Sequence, residues 1–287
     1  MPRSEELMAE ADIETTACPL CRSSRSSIIH TFGKLRVVSC KDCGLSYLNP
    51  RMKEPAMRKL YERKDYFADG DLSGYEDYSA QERSLRLTAR RFLRDIKGLC
   101  PKAESLLEVG CGYGFFLDEA SRFFSRRAGT ELSADAARKA EKTSGADIYT
   151  SDLTALPASV TDFDVIVMIN VIEHVYEPLT FLLSLRKRLK PGGRLMLSTP
   201  DIGSFWYKIM KKKWPSFKVP EHVVFYDGKS MADLLRRAEF HALKPMPFHH
   251  AFPLEMIARR LGMTVPGAIG GKIIWLPRVM TALSGRK

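Results

Sequence analysis

Three groups of residues in this 287-residue chain have types and spacings that could do chemistry. The first is Glu108-Val109-Gly110-Cys111-Gly112-Tyr113-Gly114, where a carboxylate runs into alternate glycines. Glycines between a strand and a helix let backbone approach a ligand with no β-carbon in the way. The second is two cysteine pairs, Cys18-Pro-Leu-Cys21 and Cys40-Lys-Asp-Cys43. Thiolates at this spacing suit one tetrahedral ion, and in a reducing compartment they bind metal more often than they form disulfides. Four thiolates leave no open coordination position, so the metal expected is a structural zinc, with Gly44 relieving backbone crowding after the second pair. The third is His174 with Glu173 beside it, and His222. Histidine is the natural base for removing a proton near neutral pH, although His174 paired with Glu173 or capping a helix would serve structure alone.

The glycine loop by itself is ambiguous, and its neighbours narrow the ligand. A dinucleotide site wants its third glycine one position later, where this chain has Phe115. Glu108 at the strand end would oppose a pyrophosphate and favour a cation. That charge suits the ammonium and sulfonium of S-adenosylmethionine. Glu131, at the end of the next strand, is placed to accept from both ribose hydroxyls, and Asp152, after the third, from an adenine amino group.

Alternating strands and helices must position these groups. Ser105 to Val109 reads as a buried strand, followed by the glycine loop and a helix from Phe115 to about Phe124. Short strands are expected at Ala128–Leu132 and Ala146–Thr150, with Ser133 capping the intervening helix through Lys142. Asp164-Val-Ile-Val-Met-Ile169 is apolar enough for a central strand covered on both faces. Pro178 opens a helix with Leu182, Leu185 and Leu189 on one face, Pro191-Gly192-Gly193 stops it, and Arg194 to Ser198 is the next strand. The order implies an α/β, doubly wound, mostly parallel sheet with ligands at its C-terminal strand ends. Before it lie a leader (1–17), a zinc-ribbon-like module (18–50) and a connector or lid (51–78), with the main domain at 79–287.

Five segments then carry a resemblance. Leu107-Glu-Val-Gly-Cys-Gly-Tyr-Gly-Phe-Phe116, Gly129-Thr-Glu-Leu132, Ser151-Asp-Leu153, Asn170-Val-Ile-Glu-His174 and Leu189-Lys-Pro-Gly-Gly193 stand in the order of class I S-adenosylmethionine-dependent methyltransferases, over about residues 80 to 245. The chain resembles that family, which implies a Rossmann-like seven-stranded sheet. The resemblance further implies that Glu108, Gly110, Gly112 and Gly114 hold the methionine part of the cofactor, Glu131 the ribose, and Asp152 with Leu153 the adenine. Cys111, Tyr113, Leu132, Asn170 and Val171 belong to the same segments and complete the expected cofactor surface. Leu45-Ser-Tyr-Leu-Asn-Pro-Arg51, Pro220-Glu-His222 with Phe225, and the ending Val279-Met-Thr-Ala-Leu-Ser284 are similar to ubiquinone-type and glycan-associated methyltransferases with an N-terminal cysteine module. The ending would be the last, antiparallel strand.

The acceptor is less defined. Asn170-Val171-Ile172-Glu173 lacks the Asn/Asp-Pro-Pro-aromatic motif of enzymes that methylate base or amide nitrogens, which leaves an oxygen acceptor, or a carbon one second, on a small, lipid-linked or nucleotide-linked metabolite such as a sugar. A formal charge of +11 favours anionic partners. The basic residues are dispersed, which disfavours RNA, although some rRNA methyltransferases also carry a zinc module. A non-catalytic cofactor-binding protein is a third reading. Phe205 to Phe217 mixes aromatics with lysines and is expected to be a substrate lid or, second, a patch for anionic lipid. His249 and His250 are expected at the surface or late in a strand. With no long apolar run and an acidic start, the expected location is the cytoplasm, with peripheral membrane association open.

Overall fold

A computed structural model describes residues 10–61, 78, 81–151, 153–255 and 272–286. The start of the expected leader and most of the expected connector lie outside the described residues. The N-terminal part contains β1 (Ile13–Glu14), β2 (Ser26–Phe32), β3 (Leu35–Cys40), β4 (Ser46–Leu48), β5 (Arg51–Met52) and α1 (Glu54–Tyr61). The main domain continues with α2 (Glu82–Leu99), β6 (Ser105–Val109), α3 (Phe115–Ala120), β7 (Arg126–Thr130), α4 (Ala134–Ser144), β8 (Asp147–Tyr149) and β9 (Phe163–Ile169). It ends with α5 (Pro178–Arg186), β10 (Leu189–Thr199), α6 (Phe205–Met210), β11 (Val224–Phe225), α7 (Gly228–Arg237), β12 (His241–Pro253) and β13 (Ile273–Gly285).

The main sheet has seven strands in the order β12-β13-β10-β9-β6-β7-β8. β8, β7, β6, β9 and β10 are parallel, and β13 runs antiparallel to both β10 and β12. The chain moves outward from β6 through β8 and returns to β9 on β6's other side, so a crevice opens above the C-terminal ends of β6 and β9. Both strands are buried because their apolar side chains are covered on two faces; Val165, Ile166, Val167 and Met168 have no exposed surface. Ser133 caps α4 as expected, its hydroxyl accepting from the Ala136 amide.

Several boundaries differ from expectation: α3 ends at Ala120 and β7 runs from Arg126 to Thr130, which leaves Glu131 just beyond its strand. α5 stops at Arg186, so Leu189 is a strand residue paired with Phe163 and not part of the helical face. β10 therefore begins before Pro191-Gly192-Gly193 and absorbs it as a register shift between Leu189 and Arg194. Burial of Leu189 against the sheet outweighs its continuation of the helical pattern. The last strand, β13, extends the expected Val279–Ser284 to Ile273–Gly285.

The cysteine-bearing module is tied to the main domain by main-chain pairing. Its sheet has the order β11-β4-β3-β2, so its fourth strand comes from far down the chain. The Leu48 amide donates to the Val223 carbonyl and the Val223 amide to the Glu173 carbonyl, both at 2.9 Å. Arg51 adds a clamp: its guanidinium pairs with Glu14 at 2.8 Å and lies 4.4 Å from the Tyr176 ring centroid, while the Tyr176 hydroxyl donates to the Met52 carbonyl. Leu35, Val37, Leu45 and Leu48 share one apolar core with Ile172, Val223 and Phe225. Among the described residues, no helix is long and apolar enough to cross a membrane.

Candidate active site

A cavity of about 460 Å³ occupies the crevice above β6 and β9. The glycine loop forms its floor. Gly110 has φ +74°, and a β-carbon there would lie 2.7 Å from Val171 Cγ2. Gly114 has φ +79°, and a β-carbon would lie 2.8 Å from the Ala140 carbonyl oxygen, so this glycine lets α3 pack closely on α4. The Glu131 carboxylate ties the loop down, accepting from the Gly112 amide at 2.9 Å and the Ser133 amide at 3.0 Å.

Glu108 is 5% exposed and lines the cavity, and its Oε2 has no hydrogen-bond partner among the described residues. Burial, and then the nearby Glu131, push its carboxyl well above the ordinary range. An unpartnered buried carboxylate of this kind wants a cation or a proton. An ammonium or sulfonium arriving in the cavity would meet that need, so the residues present fit S-adenosylmethionine.

Of the expected cofactor residues, Glu108, Gly110, Cys111, Gly112, Glu131, Leu132, Leu153, Asn170 and Val171 line this cavity. Tyr113 and Gly114 are not on its wall. The Tyr113 ring packs edge-on against Tyr78, with the Lys139 ammonium 3.6 Å from its centroid, and Gly114 serves the α3–α4 contact instead. Asp152 lies outside the described residues. Asn170 follows β9 with φ +54°, a left-handed conformation that asparagine tolerates better than most residues.

His174 lines the cavity, and His222, 4% exposed, packs behind it. The backbone sets the tautomer of both rings. A carbonyl oxygen only accepts, so Nδ1 of His174, 3.1 Å from the Glu221 carbonyl, carries a proton, as does Nδ1 of His222, 2.9 Å from the Ser216 carbonyl. Nε2 of the His174 ring, when neutral, is then the unprotonated nitrogen. Burial, followed by the Lys218 charge, pushes His174 down to about 3. Glu173 is buried and accepts from the Thr199 hydroxyl at 2.9 Å, and one ligand-type atom from each of Glu173, His174 and His222 lies within 4.8 Å of the others.

Other residues also line the cavity: Tyr61 and Tyr78 fall in the expected connector or lid, while Thr88, Phe248 and His250 escaped the sequence patterns. His250 lies late in a strand as expected, yet it is buried, with its ring 4.3 Å from that of Phe252. The alternation Phe248, His250, Phe252 places all three on one strand face and was the signal that could have found them. By contrast, no residue from Phe205 to Phe217 lines the cavity, which corrects the lid expectation. Tyr207 and Phe217 pack instead against His30 of the cysteine-bearing module, while Phe205, Trp206 and Ile209 are 68%, 57% and 60% exposed.

The four cysteines converge. Cys18 and Cys43 sulfurs are 3.5 Å apart, as are those of Cys21 and Cys40, and all four lie within 4.8 Å of one another. These separations are far beyond a disulfide bond and suit four corners around one ion. The two pairs form equivalent turns: the Arg22 amide donates to the Cys18 carbonyl and the Gly44 amide to the Cys40 carbonyl, with φ of +65° and +79°.

With this geometry in place, comparison with known proteins decides the family. A family model described as a methyltransferase domain matches residues 79–244. The chain belongs to that methyltransferase family. It is an S-adenosylmethionine-dependent methyltransferase with the α/β class I fold. This methyltransferase is 30% identical over 174 residues to a ubiquinone biosynthesis O-methyltransferase of Cereibacter sphaeroides, covering 56% of this chain and 68% of that protein. It is 34% identical over 107 residues to the mitochondrial ubiquinone biosynthesis O-methyltransferase of Schizosaccharomyces pombe, covering 35% of this chain and 39% of that one. A Thermotoga maritima methyltransferase structure, described as a possible histamine N-methyltransferase, superposes with a TM-score of 0.53 at 22% identity, covering 80% of this chain and 99% of that one. The magnesium protoporphyrin IX methyltransferase of Synechocystis PCC 6803, solved with bound SAH, gives a TM-score of 0.53 at 12% identity, covering 82% and 100%. At such identities the two structures speak for the fold alone.

Proposed function

We propose that this methyltransferase acts on a hydroxyl oxygen of a small metabolite, with carbon as the second choice of acceptor, and that His174 is the general base. The observation that carries the reading is a histidine on the cavity wall whose Nδ1 is already committed to the Glu221 carbonyl, which leaves Nε2 as the nitrogen that can accept a proton. When bound, S-adenosylmethionine supplies an electrophilic methyl group on a cationic sulfur. The chain's own groups must then hold the acceptor oxygen in line with that methyl and accept the hydroxyl proton at Nε2 of His174. Glu108, Gly110 and Gly112 hold the methionine part, Glu131 the ribose, and Leu153 with Asp152 the adenine. His222 and Glu173 support His174 from behind. The relation to ubiquinone O-methyltransferases favours oxygen over nitrogen.

Cys18, Cys21, Cys40 and Cys43 hold a structural zinc in this reading, and residues 18–50 are a zinc-ribbon-like module ahead of the main domain. Exposed Phe205, Trp206 and Ile209 beside Lys211, Lys212 and Lys213 support a cytoplasmic enzyme that touches an anionic membrane to reach a lipid-linked acceptor.

The test is a screen of hydroxylated acceptors, including phenols, sugar nucleotides and lipid-linked sugars, with methyl-labelled S-adenosylmethionine, run on wild type and His174→Ala. Label should appear in an ether product and fall sharply in the variant at unchanged S-adenosylhomocysteine affinity. Label at nitrogen, or full turnover by His174→Ala, would overturn the assignment.

A further inference from the structure

The family match begins at residue 79, yet part of the cavity wall comes from before it. Glu54, Met57, Arg58 and Tyr61 of α1 all line the cavity. α1 is firmly seated there. Met57 is buried in the core, the Lys53 amide just before the helix donates to the Asp12 carbonyl at 2.7 Å, and β5 pairs with β1. The preceding Arg51 clamps this segment to Tyr176, two residues beyond His174.

At the end of α1 the Tyr61 hydroxyl oxygen lies 3.0 Å from Nδ1 of His174, with the two rings edge to face at 6.2 Å. Nδ1 has one proton and faces two oxygens, the Glu221 carbonyl and the Tyr61 hydroxyl. The carbonyl requires the proton to sit on Nδ1, so the phenol oxygen accepts part of the same hydrogen bond. The carbonyl bond opposes the other tautomer, in which the phenol could donate to Nδ1, and both bonds hold the ring against rotation. They also strengthen when Nε2 takes up a proton, because a charged donor bonds its acceptors more tightly. Lys218, whose charge disfavours that protonated form, the buried Glu173 and the buried His222 also stand close to the ring.

We infer that Tyr61 is a positioning residue for His174, through which the N-terminal segment outside the matched methyltransferase domain takes part in the reaction site. This role rests on His174 being the base. The cysteine-bearing N-terminal segment thereby does more than stabilise the fold, since α1, held by that segment, fixes the ring of the base against rotation and forms the adjoining wall.

The deciding experiment is imidazole nitrogen NMR on full-length, ¹⁵N-histidine-labelled protein with S-adenosylhomocysteine, comparing wild type with Tyr61→Phe, which keeps the ring and its packing. His174→Asn identifies the resonances. Wild type should show a protonated Nδ1 and an unprotonated Nε2, and Tyr61→Phe should keep that tautomer while moving the Nδ1 resonance, because its hydrogen bond loses one of two acceptors. An unprotonated Nδ1 in wild type, or shifts unchanged in Tyr61→Phe, overturns the inference. In turnover of the acceptor found by the screen, Tyr61→Phe should lower kcat about tenfold with cofactor affinity unchanged, and should cost nothing further in His174→Ala. Full activity of His174→Ala would remove the base itself, and with it the role of Tyr61; a dead His174→Ala beside an unaffected Tyr61→Phe would sink the inference alone.

Discussion

His174 and His222 meet at a right angle, their ring centroids 4.7 Å apart, and only His174 of the two reaches the cavity. Two histidines that look equivalent along the chain are thereby unequal. Replacing His174 by alanine should lower kcat by about 10² to 10⁴, the usual worth of a positioned general base. His222→Ala should cost about tenfold, because it loosens the packing behind His174 and removes no group from the cavity wall. Equal losses in steady-state assays would show that both rings handle the proton.

Glu131 accepts two loop amides, and it faces the cavity. Glu131→Ala should weaken S-adenosylhomocysteine binding about 10- to 100-fold by calorimetry, consistent with loss of charged hydrogen bonds each worth about 1.5–3 kcal/mol. An unchanged Kd would separate this carboxylate from the ribose.

Gly114 has a left-handed φ and no room for a β-carbon against the Ala140 backbone. Gly114→Ala should destabilise the fold by about 1–3 kcal/mol in denaturant titrations, since strained φ and a backbone clash act together. Gly98→Ala, where a β-carbon meets open space, is the control and should be close to neutral or stabilising.

Asp164 joins β6 to β9, its carboxylate accepting from the Glu104 and Ser105 amides, the Ser105 hydroxyl and the Lys190 ammonium. Burial opposes its charge, but these partners, the Lys190 bond foremost, win and hold it well below the usual carboxylate range. A carboxylate depressed in the folded state stabilises the protein above its unfolded pKa, and that contribution fades as pH falls toward the folded value. Asp164→Asn should therefore cost about 2 kcal/mol at pH 7 and progressively less below about pH 4. A stability gap that stays constant across acid pH would count against this account.

If the four cysteines hold zinc, metal analysis of reduced protein should find one ion per chain. Chelation should lower the melting temperature, and Cys40→Ser should reproduce that loss, because the ion closes both cysteine turns at once. Reduced protein that keeps its melting temperature without metal would refute the zinc assignment.

Much of this molecule was legible along the chain. The glycine loop, Glu108, Glu131 and the apolar run from Val165 to Ile169 follow from local rules: backbone that must come close, charge that must be matched, and a strand covered on both faces. The cysteine spacing also announced its convergence. Other features depend on parts of the chain that no local pattern connects. β11 completes the module's sheet by pairing Val224 with Tyr47 and Phe225 with Ser46, residues from opposite ends of the fold's connectivity. Tyr61 reaches His174 across 113 residues. The aromatic segment after β10, which reads like a lid, became in part a seat for the module because Phe32 and His30 were there to receive it. Local composition marked the glycine loop and its carboxylates as a site; which histidine lines the cavity was decided by tertiary packing, since burial and hydrogen-bond partners are properties of surroundings and not of sequence neighbours.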